Sequence, residues 1–491
     1  MKTGNIVFLL GVLILFLSCS NSGVYYVDSV NGDDSYSGTS EFKPWKSLDK
    51  LNQHTFKPGD QILFKAGTVY QGQFEPRGSG NKEKPVTVNK YGEGNKPVLN
   101  GNGKKKYTLM LKNIGYWEVN NLEITNTGQT EDAGRNGVYV YAWNAGDINH
   151  IHLKNLTVHD VNGSCIKNAG GGSGIFWQNG GDSIPTRFID LLIEDCHIYQ
   201  CRRNGIYSSG NSNRNRWYPS LNVVIRRNLI EQVPGDGIVP VGCDGALVEY
   251  NIVKDNPDLL RIEDAAAGIW PWSSDNTIIR YNEVSRQNAK WDGQGYDSDY
   301  NCRNTTIQYN LSHNNAGGFV MVCNEGNSLG KSYNMGTENT LIKGNVSIND
   351  GIRAYRTRPG WFSPTIHISG PSKNTLLEDN LIMIYKKTLN QIDRTILMVD
   401  NWGGPWPEDT KFRNNIFYVV NDKSDYRFVY GKAAGMIFEG NTFYGNFINK
   451  PDDRSSVEGK PGMEKNITFP EGFPNFLRER ALTVIDSISQ K

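Results

Sequence analysis

Short stretches of alternating apolar and polar residues run along the chain, and most of them contain an asparagine at the same place. Each stretch has a first alternation, a polar pair ending in Asn, and a second alternation. Alternation at every second residue predicts short β-strands with one buried face. The copies lie at residues 117–122, 152–156, 224–229, 247–252, 278–283, 306–311, 341–346, 376–381, 411–416 and 437–442.

The spacing of these copies predicts the fold. The steps range from 23 residues, between Asn228 and Asn251, to 35 residues, between Asn310 and Asn345. Such uneven steps suit a coil of three short strands, whereas helical repeats keep a regular period. One coil cannot bury its inward side chains, so coils must stack. We therefore predict an all-β fold, a single right-handed parallel β-helix with three sheets. Each recurring Asn should occupy a left-handed turn and bond the Asn of the next coil.

The two ends of the solenoid carry different patterns. Trp45, Leu48 and Leu51 have helical spacing within residues 44–54. They predict a short N-terminal capping helix that covers the first coil's open edge. Residues 471–491 are expected to form a C-terminal capping segment that closes the other end. The β-helix itself, with its N-terminal cap, is assigned to residues 24–470, as one domain without a linker.

The first nineteen residues predict export. Lys2 precedes an apolar run at residues 6–17 that is too short to span a bilayer, and Ser18 precedes Cys19. The ending Phe-Leu-Ser-Cys is similar to the lipobox of bacterial lipoproteins, although Phe16 is a looser match than Leu. We expect residues 1–19 to be a lipoprotein signal peptide with Cys19 as the lipidation site. The protein would then be anchored to the outer membrane, on its periplasmic or cell-surface side; an ordinary secretory signal is the alternative.

Composition and charge narrow the partners. The net charge of +1, from 52 basic and 51 acidic residues, gives no basic field for nucleic acid, so membrane contact is expected only through the lipid anchor. The other six cysteines show no CxxC spacing, and we expect several to be buried core thiols rather than zinc ligands. A monomer is expected.

A second recurring strand begins with glycine followed by an apolar residue. The copies lie at residues 205–209, 237–241, 268–272, 295–299, 318–322 and 351–355. Because strand side chains alternate, inward Ile206, Ile269 and Tyr296 define two outward columns. One column reads Tyr207, Val239, Trp270, Asp297, Val320 and Arg353. The other reads Ser209, Val241, Trp272, Asp299, Val322 and Tyr355.

Two acids beside two tryptophans form the candidate site. Trp270 and Trp272 are expected one coil away from Asp297 and Asp299, about 4.8 Å along the stack, with about 6.6 Å between the two acids. Flat aromatic faces suit a sugar ring, and neighbouring carboxyls disturb each other's titration. One acid and one carboxylate are what glycosidases need, so Asp297 and Asp299 are the predicted catalytic residues, with Glu325 as a third acid. The alternatives for the pair are plain surface charge or a structural calcium site; no cofactor is required.

Six further residues are candidates for substrate binding. Asp292 and Trp291 lie in the turn before the acidic strand, and Arg353 and Arg356 are suited to bind a uronate carboxylate or a sulfate. Both arginines are equally suited to pair with nearby acids, and His313 is more typical of a satisfied turn histidine than of a base. The full set is Trp291, Asp292, His313, Arg353, Tyr355 and Arg356.

The repeat resembles the pectin-lyase-like superfamily of right-handed β-helices over almost the whole mature chain. Residues 25–34, 292–299 and 309–315 are similar to segments of β-helix proteins from glycan-degrading Bacteroidetes. The resemblance implies carbohydrate chemistry on the outer face of a sheet. The chain lacks the NTD, GHG and RIK signatures of polygalacturonases, so their residue roles do not transfer. Resemblance to those enzymes favours inversion of the anomeric centre.

Three functions fit these observations. The first is a glycoside hydrolase that cleaves a complex polysaccharide or oligosaccharide, acidic ones included. The second is a polysaccharide lyase, which needs a base and a cation such as Arg353 or calcium. The third is a non-catalytic surface glycan-binding protein, which would keep the Trp pair without needing the acids. Acids rather than Lys or Arg at the predicted centre favour hydrolysis.

Overall fold

The structure is a computed structural model and describes residues 22–353, 355–357, 360–385, 393–420, 425–453, 455–456 and 467–489. The expected signal peptide and Cys19 lie outside the described residues. Every pair of named strands is parallel, and three sheets stack coil upon coil around one axial core. The fold is a right-handed parallel β-helix, as the repeat predicts.

The first sheet runs the length of the solenoid. Its strands are Val24–Val27, Gln61–Lys65, Val86–Tyr91, Trp117–Asn120, Asp147–Lys154, Arg187–Glu194, Ser220–Arg226, Leu247–Glu249, Ile278–Arg280, Thr306–Gln308, Leu341–Lys343, Ser372–Glu378, Glu408–Arg413 and Ile437–Glu439, with Cys243–Asp244 and Thr337–Glu338 beside them. The second sheet is equally continuous. Its strands are Val69–Gln71, Val98–Asn100, Glu123–Asn126, Thr157–Val161, His197–Cys201, Leu229–Glu231, Ile252–Asn256, Glu283–Gln287, Leu311–His313, Val346–Ile348, Leu381–Tyr385, Ile416–Val420 and Thr442–Tyr444.

The third sheet is interrupted. An N-terminal part contains Tyr107–Lys112, Arg135–Trp143, Gly172–Gly180, Asn204–Ser209 and Ile238–Val239. A C-terminal part contains Gln294–Ser298, Gly318–Cys323, Ile366–Ser369, Thr395–Asp400, Tyr426–Val429 and Phe447–Ile448. Bridges from Ile238 to Ile269 and from Ile269 to Tyr296 join the two parts. A two-stranded sheet, Ala265–Ala266 with Trp291–Asp292, lies next to this join.

Buried asparagines form a ladder along the edge of the core. Each side-chain amide donates to the side-chain oxygen of the next Asn at 2.9–3.0 Å. The members are Asn228, Asn251, Asn282, Asn310, Asn345, Asn380, Asn415 and Asn441. This confirms the predicted bonding between coils, and burial from water strengthens each bond.

For this ladder the predicted position of the left-handed turn is wrong by one residue. The residue before each ladder Asn has the positive φ, for example Tyr250 at 57° and Asp379 at 56°. The turn thus lies one residue before the ladder Asn, which is itself buried. In the earlier coils the prediction holds, since Asn121 and Asn155 have φ of 59° and 52° and their side chains bond each other.

The N-terminal cap is confirmed as helix α1, Leu48–Gln53. The Ser47 hydroxyl caps it by accepting from the Lys50 N–H at 3.1 Å. Leu48 and Leu51 are buried in the axial core together with Trp45. These three residues therefore close the first coil with apolar side chains.

The C-terminal helix α2, Asn475–Ser489, does not close the last coil, which corrects the predicted cap. It lies on the outer face of the second sheet, against Leu311–His313 and Val346–Ile348. Leu477 and Ile485 are buried in a cluster with outward-facing apolar residues of that sheet. The helix thereby removes from water an apolar surface that the sheet would otherwise expose. The segment is therefore a lateral cover.

Three 3-10 turns complete the secondary structure of the described residues, at Lys167–Ala169, Arg214–Arg216 and Gly326–Ser328. The six cysteines of the described part are free thiols, and all except Cys165 are buried, as expected for core residues. Among the described residues neither helix has the length and apolar character needed to cross a membrane.

The predicted strand register holds up to Tyr296 and then fails by one residue. Tyr296 pairs with Val320 rather than with Phe319. Gly318, with φ of 139°, begins this strand, and Phe319 and Val320 are both buried in the core. Alternation is therefore broken there, and the outward residues beside Asp297 and Asp299 are Met321 and Cys323 instead of Val320 and Val322.

The next predicted strand is also displaced. Ile366–Ser369, and not residues 351–355, pairs with Gly318–Cys323. Gly351 has φ of 76°, and the Arg353 N–H bonds the Ala316 carbonyl instead of the strand Gly318–Cys323. That strand is met by Thr365, whose carbonyl accepts from the Phe319 N–H, and by the residues that follow it. Arg353 and Tyr355 therefore do not belong to the outward columns, and His367 and Ser369 take those positions.

Candidate active site

A cleft of about 950 Å³ lies on the outer face of the third sheet, at the join between its two parts. Its lining includes Trp291, Asp292, Tyr300, Arg353, Phe362, His367, Asp400 and Trp402. A recess of about 310 Å³ adjoins it and adds Lys167, Trp272 and Asp299. Ala265, Asp292, Tyr300 and Trp402 border both spaces, so cleft and recess form one continuous site.

Asp299 is the acid of the central strand that faces this site. Its Oδ1 accepts from the Tyr300 N–H at 2.6 Å and from the Cys323 thiol at 3.1 Å. Burial raises the pKa of Asp299, while both hydrogen bonds and the Lys167 charge oppose that rise. Burial also holds the pKa of the Cys323 thiol well above its usual range, so the thiol stays protonated and can donate a hydrogen bond to Asp299.

Asp292 is the second acid at the cleft. It ends the short strand Trp291–Asp292, where its φ of 58° turns the chain. Burial, followed by the nearby charge of Asp299, raises the pKa of Asp292 to about 6. Burial therefore raises the pKa of both carboxyls that border the site, and the two hydrogen bonds to Asp299 favour its ionised form.

Asp297 lies beneath the cleft surface rather than on it. Only 3% of the residue is exposed, and its Oδ1 has no hydrogen-bond partner among the described residues. Burial and the charges of Asp292 and Asp299 hold its pKa well above the usual range. The structure therefore places a buried carboxyl with a raised pKa at Asp297, and the acid that borders the site together with Asp299 is Asp292.

The two predicted tryptophans differ in exposure. Trp270 is 6% exposed, and its indole N–H donates to the buried Asp236 at 3.0 Å. The Lys167 ammonium lies over the Trp270 ring, 5.3 Å from its centroid. Both tryptophans line the recess, but Trp270 is largely covered and Trp272 is the more exposed of the two.

Arg353 and Tyr355 fasten the segment that carries Asp292. The Arg353 guanidinium donates to the carbonyls of Lys290, at 2.8 Å, and Asp292. The Tyr355 hydroxyl donates to the carbonyls of Asn288 and Ala289. Arg353 is buried at the cleft wall, and these bonds give both side chains a positioning role.

The remaining candidates lie at different distances from the cleft. Glu325 is half-buried before the turn Gly326–Ser328, and its charge contributes to raising the pKa of Tyr300. Arg356 is exposed. His313 lies on the second sheet, where it is buried and contacts Glu283 at 3.1 Å, beneath Arg480 of helix α2. The structure does not bring His313 to the site.

Several residues that line the cleft could not be predicted from the repeated sequence pattern. Trp402 and Phe362 come from loops outside the strands, and their rings lie 5.6 Å and 5.2 Å from that of His367. The His367 Nε2 contacts an Asp400 carboxyl oxygen at 3.1 Å. Strand alternation could have predicted His367 and Asp400 as cleft residues, because both occupy outward positions of strands that follow Gly318–Cys323.

Fold and cleft together define a right-handed β-helix protein with paired carboxyls on the outer face of one sheet. A family model described as a right-handed β-helix region matches residues 136–357. The predicted relationship to right-handed β-helix proteins is thus confirmed at the level of fold.

Two similar proteins carry the same name. A lacto-N-biosidase from Bifidobacterium longum subsp. longum is 27% identical over 540 aligned residues, which cover 89% of this chain and 32% of that protein. The chain thus spans about a third of the relative's length. The crystal structure of a GH136 lacto-N-biosidase from Eubacterium ramulus is similar with a TM-score of 0.61 and 24% identity, covering 81% of this chain and 68% of that one. That structure is of the selenomethionine derivative, and the structure of the native protein gives a TM-score of 0.60.

Proposed function

We propose that the protein is a glycoside hydrolase. One observation carries the proposal: Asp292 and Asp299 border a single cleft, where Asp299 accepts two hydrogen bonds that favour its ionised form and burial raises the pKa of Asp292 to about 6. Hydrolysis of a glycosidic bond needs one carboxylic acid and one carboxylate at the same site. Below about pH 6 Asp292 keeps its proton and can serve as the acid, while the hydrogen bonds to Asp299 favour its carboxylate form.

The environments assign a role to each acid. Asp299 is the carboxylate, because the Tyr300 N–H and the Cys323 thiol both donate to it. Asp292 is the general acid, and it protonates the leaving glycosidic oxygen as the bond to the anomeric carbon breaks. Asp299 either takes a proton from the water that attacks that carbon, or attacks the carbon itself to form a glycosyl ester, which water activated by Asp292 then hydrolyses to free the sugar and Asp299. Inversion stays our expectation, and proton NMR of the first anomer released checks it.

The substrate class follows from the relatives' name. We propose that the chain acts on an oligosaccharide that carries a lacto-N-biose unit, as the name lacto-N-biosidase says of its relatives. Trp291, Trp402 and Phe362 give the cleft apolar ring surface for sugar faces. Arg353 makes its bonds to backbone carbonyls, so an acidic substrate is not required by this site.

The test uses a lacto-N-biose-terminated oligosaccharide beside a panel of plant and algal polysaccharides. Reducing ends, released sugars and the ultraviolet absorbance of an unsaturated uronate are recorded together. We expect a released disaccharide without new absorbance. Asp292→Asn and Asp299→Asn should each lower kcat by about 100-fold or more, since general acid–base catalysis contributes factors of that order.

A control variant tests whether an Asp-to-Asn substitution outside the cleft also lowers activity. Asp195 has φ of 55° and lies outside the cleft, and Asn tolerates that conformation, so Asp195→Asn should keep full activity. Full activity in Asp292→Asn or Asp299→Asn would contradict the assignment. Binding without turnover on any substrate would support a glycan-binding protein.

A lyase is the competing candidate because the Lys167 ammonium lies in the recess beside Asp299. A lyase needs such a cation to neutralise a uronate. Ultraviolet absorbance that appears together with reducing ends would establish elimination and refute hydrolysis.

Calcium and the membrane anchor have separate tests. Calcium takes about six to eight oxygen ligands, whereas Asp292 and Asp299 share their site with an ammonium group. We therefore expect a chelator to leave activity unchanged. We also propose a signal-peptide-bearing lipoprotein like those of glycan-degrading Bacteroidetes, lipidated at Cys19. Cys19→Ser should release the protein from the membrane fraction. Light scattering checks the expected monomer.

A further inference from the structure

Two imidazoles and two carboxyls gather on the outer face of the first sheet, a different sheet from that of the cleft. His150 Nε2 lies 3.1 Å from Glu118 Oε1, and His150 Nδ1 lies 2.7 Å from Asp190 Oδ2. His152 Nε2 lies 3.1 Å from Asp190 Oδ1. All four side chains are partly exposed, so solutes reach them.

The cluster depends on three adjacent strands. His152 pairs with Glu118 on the strand below and with Leu192, two residues from Asp190, on the strand above. His150 and Asp190 have φ of 55° and 64°, and these turns place their side chains beside His152. The two imidazole centroids are 3.8 Å apart. Donor atoms of Glu118, His150 and His152 all lie within 4.8 Å of one another.

The hydrogen-bonding capacity of His150 leaves room for a cation between His150 and Glu118. A neutral imidazole has one N–H, yet both nitrogens of His150 face carboxyl oxygens. The Lys154 ammonium pairs with Glu118 Oε2 at 3.1 Å, which leaves Oε1 directed at His150 Nε2. A divalent metal ion held between Oε1 and Nε2 would use both as ligands while His150 keeps its Nδ1–H on Asp190.

We propose that this cluster is a zinc-binding site. The ligands are His150 Nε2, His152 Nε2 and Glu118 Oε1. Asp190 Oδ2 orients His150 through its Nδ1–H, and His152 Nε2 exchanges its contact with Asp190 Oδ1 for the metal ion. Two imidazoles and one carboxylate form a ligand set that Zn²⁺ accepts, with water in the fourth position. A carboxylate on the far nitrogen of a ligand His is the usual support for such a site. The ion would link neighbouring coils of the first sheet.

The test titrates ZnCl₂ into the full chain without an affinity tag. Calorimetry is expected to show one zinc per chain, and excess Ca²⁺ should not compete, because nitrogen ligands select against it. His152→Ala should abolish binding, and Asp190→Asn should weaken it by about 10- to 100-fold. Co²⁺ in place of Zn²⁺ should give visible d–d absorption that His152→Ala lacks.

His159 provides the matched control. Its ring also lies between two carboxyls, Asp160 at 2.8 Å and Glu123 at 3.1 Å, but with a single imidazole. His159→Ala should therefore bind zinc like the wild type. No zinc binding by the wild type, or undiminished binding by His152→Ala, overturns the proposal. If His152→Ala does not fold, the near-isosteric Glu118→Gln decides in the same way.

Discussion

Replacing Cys323 by alanine should move the acidic limb of the pH profile to higher pH. The Cys323 thiol donates to Asp299 at 3.1 Å, and its own raised pKa keeps it protonated. Removing the thiol deletes a hydrogen bond that stabilises the ionised form of Asp299 more than its protonated form. The pKa of Asp299 must then rise, and the carboxylate needed for catalysis forms at higher pH.

The size of the effect follows from the bond that is lost. A hydrogen bond to a charged group contributes about 1.5–3 kcal/mol, and a thiol is a weak donor, so we take about 1.5 kcal/mol. Since about 1.36 kcal/mol corresponds to one pKa unit, the limb should move by about one pH unit. The Tyr300 N–H stays in place at 2.6 Å and keeps the carboxylate partly stabilised.

The assay is kcat/KM on the cleaved oligosaccharide across the acidic range. Cys323→Ser keeps a donor and should return the limb towards its wild-type position. Cys196→Ala is the control for a lost buried thiol, because that thiol contacts the backbone carbonyls of Leu153 and Glu194 and no carboxylate. A Cys323→Ala limb that coincides with the wild type, or moves to lower pH, would refute the reasoning.

Three further results are expected. The kcat/KM should fall tenfold per pH unit above about 6, because Asp292 with a pKa of about 6 loses the proton that it donates; a flat profile to about pH 8 would exclude Asp292 as the acid. Asn345→Ala should lower the free energy of unfolding by at least about 1–3 kcal/mol, since it leaves ladder partners unsatisfied, whereas Asn339→Gly on the exposed edge should change urea unfolding little. Leu477→Ala should loosen helix α2 by about 2–5 kcal/mol, which hydrogen exchange of that helix reports, and the exposed Leu482→Ala should not.

The lacto-N-biose proposal and the zinc proposal can fail independently. The zinc cluster lies on the first sheet, and the cleft lies on the third. A protein that cleaves the oligosaccharide but binds no zinc would leave the hydrolase proposal intact. The reverse result would leave the metal site intact.

The sequence by itself determined the stacked coils, the asparagine ladder, helix α1 and the strand that carries Asp297 and Asp299. All of these depend on local periodicity, because alternation at every second residue separates an inward from an outward face. It also indicated Asp292 and Trp291 as neighbours of that strand. A local pattern was sufficient for each of these.

Only the tertiary structure decided which residues meet at the cleft. The one-residue change of register at Gly318 and the excursion that begins at Gly351 depend on how each coil packs on the next, and alternation contains no information on either. Loop residues such as Trp402 reach the site through the stacking of coils distant in sequence. Whether an acid such as Asp297 is buried or open depends on what covers it, and that cover is assembled only in the fold.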